Sequence, residues 1–75
     1  MLMPKSYRWR KTTDINREYA VFELLVGEKA ILDAGFSEAG VFEVAFNTEI
    51  SGVLIEWDRL RELIEDGRKL AELDR

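Results

Sequence analysis

A chain of 75 residues and 8.7 kDa holds one domain, and at this size folding buries roughly 60% of the surface that the unfolded chain exposes. With 47% hydrophobic and 35% charged residues and a single proline, the composition is that of an ordered globular domain rather than a disordered segment. Cysteine and histidine are both absent, which excludes disulfide staples, thiolate nucleophiles, imidazole bases and almost every zinc or iron site.

The formal charge of −4 is divided along the chain: up to Arg17, Lys5, Arg8, Arg10, Lys11 and Arg17 meet Asp14 alone, whereas from Glu18 onward six basic residues face fourteen acidic ones. A basic arm thus precedes an acidic body, and that body repels nucleic acid unless the arm acts by itself. The longest apolar run is four residues, Tyr19 to Phe22. That is far short of a membrane span or a signal core, so the expectation is a cytoplasmic protein without membrane association.

Met1 to Pro4 carries no period and is expected to fray. In Tyr7-Arg8-Trp9-Arg10-Lys11-Thr12 rings alternate with cations, so an extended chain puts Tyr7 and Trp9 on one side and Arg8 and Arg10 on the other. Residues 1–17 therefore read as a basic arm or edge strand. Thr13-Asp14-Ile15-Asn16 reads as a polar turn. Three strand signals follow over 18–56: Glu18 to Val26, Lys29 to Phe36 and Val41 to Asn47, all rich in Val, Phe, Ile and Leu. Gly27-Glu28 suits a two-residue hairpin loop with glycine first, and Ser37-Glu38-Ala39-Gly40 a four-residue loop ending on positive φ. After a polar break from Asn47 to Gly52, Val53-Leu54-Ile55 is read as a fourth short strand. A helix is predicted over 58–74, with Asp58 as its N-cap and Leu60, Leu63, Ile64, Gly67, Leu70 and Ala71 as its apolar stripe. Pairs at i, i+4, Glu65 with Lys69 and Arg68 with Glu72, lace the opposite face. Trp57, just before the cap, is expected to wedge between helix and sheet. Gly67 costs about 1 kcal/mol relative to alanine inside a helix, so it implies close approach of the sheet.

Read literally, the two loops pair Val26 with Lys29 and Phe36 with Val41. One face, read as the core face, then carries Ala20, Phe22, Leu24, Val26, Ile31, Phe42, Val44 and Phe46, with Asp33 as an intruder, and the other Tyr19, Val21, Leu25, Ala30, Leu32, Ala34, Phe36, Val41 and Ala45, interrupted by Glu23 and Glu43. A half-solvated sheet is not apolar on both sides. A register with a bulge at each loop moves Leu32, Ala34 and Phe36 to the core face and gives cleaner alternation. Turn chemistry and hydrophobic pattern disagree over the middle strand. Either way Val21, Leu25, Val41 and Ala45 stay on the second face, and something must help to cover it.

Glu23, Asp33 and Glu43 fall near the middles of three successive strands, where cross-strand carboxylates can share a face. No calcium-type or phosphate-type loop accompanies them, and they read as solubilising charges. Ser6, Ser37 and Ser51 have no base to activate them. The expected fold is α+β: an antiparallel β-meander of three to four strands, with the arm as a further edge strand, packed against one C-terminal helix in a single domain over 1–75. The expected function is that of a non-enzymatic, small acidic interaction module: an inhibitor, immunity-type or regulatory protein, or a homodimer formed through an uncovered sheet face. Val21, Leu25, Val41, Glu23 and Glu43 are its contact residues, and its partner is a protein or a second copy. No cofactor, metal or small-molecule ligand is expected. The alternative is weak single-stranded nucleic-acid binding, with Tyr7 and Trp9 stacking on bases and Arg8, Arg10 and Lys11 meeting phosphates.

Overall fold

The computed structural model describes residues 6–13, 15–48 and 52–75. The expected fraying of Met1 to Pro4, the part of Asp14 in its turn and the middle of the Asn47 to Gly52 break lie outside the described residues. Four strands, β1 (Tyr7–Thr12), β2 (Val21–Val26), β3 (Lys29–Phe36) and β4 (Phe42–Phe46), precede one helix, α1 (Trp57–Leu73). The sheet is an antiparallel meander in the order β1-β2-β3-β4, and α1 packs across β2 and β3. The basic arm is therefore the first edge strand. β2 begins at Val21, later than the predicted Glu18, at the residue that pairs with Thr12 at the end of β1.

The register keeps the turn chemistry and the hydrophobic pattern together. Gly27 takes φ +63° in its two-residue loop and Val26 pairs with Lys29, as a Gly-first hairpin requires. Further along, Leu25 pairs with Ala30 but Leu24 pairs with Leu32, so Ile31 is an extra residue on β3. That bulge turns Leu32, Ala34 and Phe36 to the helix side and leaves Ile31 buried as well. At the next hairpin the Gly40 amide donates to the Ser37 carbonyl at 2.9 Å and the Ser37 amide to the Val41 carbonyl at 2.8 Å, with Gly40 at φ +80°. A three-residue loop ending on a left-handed glycine adds one residue before the strand. Phe36 consequently pairs with Phe42 rather than Val41, and their rings meet edge to face with centroids 5.3 Å apart.

The core lies between this corrected face and α1. Leu24, Ile31, Leu32, Ala34 and Leu63 form its main cluster, and Phe22, Phe36 and Ala71 close the far end. α1 runs in the same direction as β1, because Arg59 lies over the Tyr7 ring, Leu63 and Gly67 meet Trp9, and Asp74 pairs with Lys11. The Trp9 indole packs flat against the helix backbone. Its Nε1 donates to the Leu63 carbonyl at 3.0 Å, and a Cβ on Gly67 would come within 2.5 Å of the ring. The close approach that Gly67 implies is thus to the aromatic arm.

Other expectations are corrected. α1 starts one residue earlier than predicted: Glu56 is the N-cap, its carbonyl accepting from the Leu60 amide at 2.9 Å without a side-chain cap. Asp58 sits in the first turn, where a carboxylate still favours the helix dipole. Trp57 is not a wedge; six residues before Leu63, it is turned about 120° off the buried line at 100° per residue, and it is 69% exposed. Leu70 lies at the margin of the stripe, 38% exposed, because burial follows Leu63, Gly67 and Ala71. The Arg68–Glu72 pair closes at 3.2 Å, while Glu65 and Lys69 are not among the ion pairs of the described residues. Val53-Leu54-Ile55 is not a strand: Val53 and Ile55 pack on the core rather than beside a strand edge.

Leu63→Ala deletes a side chain that is 4% exposed, and is expected to cost about 2 to 5 kcal/mol, a large share of the roughly 5 to 15 kcal/mol a domain has in total. Urea unfolding monitored through the helix signal measures it, and a loss below about 1 kcal/mol would contradict this packing.

Candidate interaction surface

On the sheet face away from α1, alternation gathers Arg8, Arg10, Thr12, Val21, Glu23, Leu25, Asp33, Gly35, Glu43 and Ala45. Arg10, Glu23, Asp33 and Ala45 form one cross-strand row, in which Arg10 binds Glu23 through Nε at 3.1 Å and Nη2 at 2.6 Å. Thr12, Val21, Gly35 and Glu43 form the next row, and a shallow groove of about 400 Å³ lies over it, lined also by Arg17 and Asp33. The loop between β1 and β2 folds back over this end. Arg17 donates to the Phe36 carbonyl at 3.3 Å, and a Cβ on Gly35 would lie 3.1 Å from the Ala20 carbonyl.

The predicted contact residues are only partly brought together. Val21 is half-buried in the groove, Glu23 is half-buried against Arg10, Glu43 is exposed, and Val41 is 56% exposed in the hairpin loop beside them. Leu25 is 1% exposed, covered within the chain and absent from any open surface. Because the bulge at Ile31 moves Leu32, Ala34 and Phe36 to the core, the helix-free face is the mixed polar surface of an ordinary half-solvated sheet. Its large apolar surplus was a consequence of the literal register.

The arm is likewise engaged internally. Tyr7 and Trp9 turn toward α1, Arg10 holds Glu23, and Lys11 Nζ meets Asp74 at 2.6 Å. Of the segment's cations only Arg8 makes no ion pair among the described residues. The rings that would stack on bases are occupied.

Exposed apolar surface lies elsewhere. β4 stands at the sheet edge, with Phe42, Val44 and Phe46 on the helix side in register with Phe36, Ala34 and Leu32. α1 rests chiefly on β2 and β3; Phe42 and Val44 are half-buried against the core, and Phe46 at the end of the strand is 61% exposed. The sequence pattern places Phe42, Val44 and Phe46 on the core face, which holds for the first two, but the exposure of Phe46 corrects it. The signal for an edge strip is present in Phe42-Glu43-Val44-Ala45-Phe46: large apolar residues at every second position of the last strand, which a meander necessarily leaves at an edge.

Glu23 and Asp33 are direct cross-strand neighbours, and Glu43 lies diagonally on the same face. Among the described residues no group of three or more acidic side chains is close enough to hold a metal ion. Desolvation raises the Asp33 pKa above its ordinary value, the Glu23 carboxylate adds to the rise, and Arg17 opposes it. The folded chain thus holds this proton more tightly than the unfolded one. The favourable contribution is complete below the ordinary aspartate range and is lost as pH rises through the raised value. Asp33→Asn is therefore expected to be more stable than the wild type at neutral pH, with the difference shrinking on acidification. Urea unfolding across that range checks it, and an advantage that grows at acid pH would refute the assignment.

No helix among the described residues is long and apolar enough to cross a membrane. Comparison with protein-family models, with curated proteins and with solved structures gives no match for this chain.

Proposed function

We propose that this chain is a small, acidic, non-enzymatic protein-binding module, cytoplasmic in location, whose binding surface is the apolar strip along β4. The carrying observation is Phe46, a large aromatic side chain 61% exposed on the core-facing side of an edge strand. Aromatic side chains placed in this way are the usual anchors of protein interfaces, where fully desolvating a ring supplies much of the affinity. Phe42 and Val44 beside it are half-buried against the core, so the exposed ring ends a partly covered apolar row, and exposed apolar surface on an edge strand has an association cost unless a partner covers it.

Further support comes from what the chain lacks. Without histidine or cysteine, acid–base or nucleophilic work falls to carboxylates, hydroxyls and amines. The nearest carboxylate pair is held by an arginine on one side, Glu23 by Arg10. The acidic excess of the chain, −4 overall, favours a partner with neutral or basic surroundings. The nucleic-acid reading loses its stacking platform, because Tyr7 and Trp9 serve the fold.

A photo-crosslinking phenylalanine analogue at position 46, illuminated in cells that naturally express the chain, tests the reading. The expected result is an adduct of discrete protein mass, absent when the analogue replaces Ile15, which is fully exposed on a loop. No adduct at position 46 beyond that background would overturn it.

A further inference from the structure

The two edges of the sheet differ in kind. β1 carries Arg8, Arg10 and Lys11, and charges of this sort, lysine above all, are what natural sheets place on an edge to prevent pairing with another chain. β4, Phe-Glu-Val-Ala-Phe, has no basic residue, no proline and one acid. It is an unguarded edge.

Its backbone is presented for pairing. Ser37 donates to Val41 and Asn47 to Ile31, both across the β3–β4 ladder, so positions 41, 43, 45 and 47 direct their amides and carbonyls inward. In an antiparallel ladder the alternate residues direct theirs outward. Phe42, Val44 and Phe46 therefore offer amide and carbonyl groups at the free edge, and no backbone hydrogen bond from them to a residue outside the β3–β4 pair occurs among the described residues.

The strand is also close to a palindrome about Val44. We infer that β4 pairs antiparallel with β4 of a second copy, Val44 opposite Val44 across a twofold axis, to join two sheets into one of eight strands. In this register Phe42 lies opposite the partner copy's Phe46 and each Phe46 opposite a Phe42, so the exposed ring gains an aromatic neighbour, a favoured cross-strand pairing. The outward groups of Phe42, Val44 and Phe46 meet their counterparts directly, which makes every one of these pairs a hydrogen-bonded pair. On the other face Glu43 falls opposite Ala45, and like charges are not apposed. Of the other registers, a shift by one residue toward either end would bring inward-directed groups to the ladder, and a shift by two leaves both phenylalanines of each copy opposite a residue other than phenylalanine. The symmetry requirement of an isologous dimer, one patch that complements itself, is thus met by five consecutive residues. A single edge is a small interface, so the association belongs to the weak class, with dissociation on the order of micromolar.

The inference rests on the protein-binding reading above and names its partner, a second copy of this chain. Because the wild type contains no cysteine, Val44→Cys reports the register cleanly. Directly paired α-carbons are about 5.5 Å apart in a hydrogen-bonded pair, within the range a disulfide spans. Phe46→Cys is the off-axis control, its two copies being four residues apart along the ladder, about 14 Å at 3.4 Å per residue, too far to bridge. Expected are reversible dimers of the wild type in sedimentation at high micromolar concentration and rapid disulfide dimer formation by Val44→Cys under mild oxidation. Phe46→Cys should cross-link at least ~10-fold more slowly, and Phe46→Lys should sediment as a monomer with an unchanged helix signal. A wild type that stays monomeric, or a Val44→Cys that cross-links no faster than Phe46→Cys, would overturn self-pairing. In that event an adduct to a different protein at position 46 in cells would identify a heterologous strand or groove as the occupant, and the protein-binding reading would stand without this one.

Discussion

The indole of Trp9 lies where a helical side chain would otherwise be, and the arrangement of the domain follows from that contact. It ties the first strand to the last element across most of the chain's length. The ring occupies the space left by the missing Cβ of Gly67, and its N–H shares the Leu63 carbonyl that the helical ladder already uses for the Gly67 amide. Both ends of the contact are anchored on backbone or on a rigid ring, so the helix can settle at one height and one rotation over the sheet. Leu63 and Ala71 are then aimed into the core, and Lys11 reaches Asp74. In a domain this small, whose core is marginal by its surface-to-volume ratio, a helix fixed in one position is worth more than a few additional apolar contacts.

Much of the fold was legible in the sequence because the alternation and the punctuation are local. Tyr7 and Trp9 on one side of an edge strand, β3 from Lys29 to Phe36, the Gly-first turn at Gly27 and the close approach at Gly67 all appear where the residues place them. The side each residue of β3 faces was not legible in the same way. Turn chemistry at Gly27 and hydrophobic pattern at Leu32, Ala34 and Phe36 made opposing demands, and the chain satisfies both by inserting Ile31 between them and a left-handed glycine at the next loop. A bulge has no strong composition signal of its own; it is visible only as that conflict. The literal register alone produced the apparent excess of apolar residues on the far face, through Leu32, Ala34 and Phe36, whereas Val21 and Val41 were placed there under either register. Trp57 and the Val53 to Ile55 stretch were misjudged for another reason. Their surroundings are set by how far the sheet extends beneath them, which no local pattern records.

The interplay of charges narrows what the surfaces can do. Nucleic-acid binding by the basic arm was the alternative reading of the sequence, set against an acidic body that repels phosphates; folded, the arm is a strand whose cations are mostly answered by the chain's own carboxylates, Arg10 by Glu23 and Lys11 by Asp74. These pairs are exposed and each contributes little to stability. Their consequence is at the edges of the sheet, where β1 carries the basic charge and β4 carries one acid among apolar residues. The division of charge along the sequence thus becomes a division between the two sides of the sheet.

The Trp9–Gly67 contact is tested most directly by measuring Gly67→Ala in two backgrounds, the wild type and Trp9→Leu, by urea unfolding. In the wild type the added methyl group is overpacked against the ring, and the expected loss is about 1 to 3 kcal/mol despite alanine's better helix propensity. Without the indole the same substitution is expected to stabilise, by up to about 1 kcal/mol, so its sign reverses between the two. Equal effects of Gly67→Ala in both backgrounds would show that the two residues are not coupled, and would contradict the account of how the helix is held on its sheet.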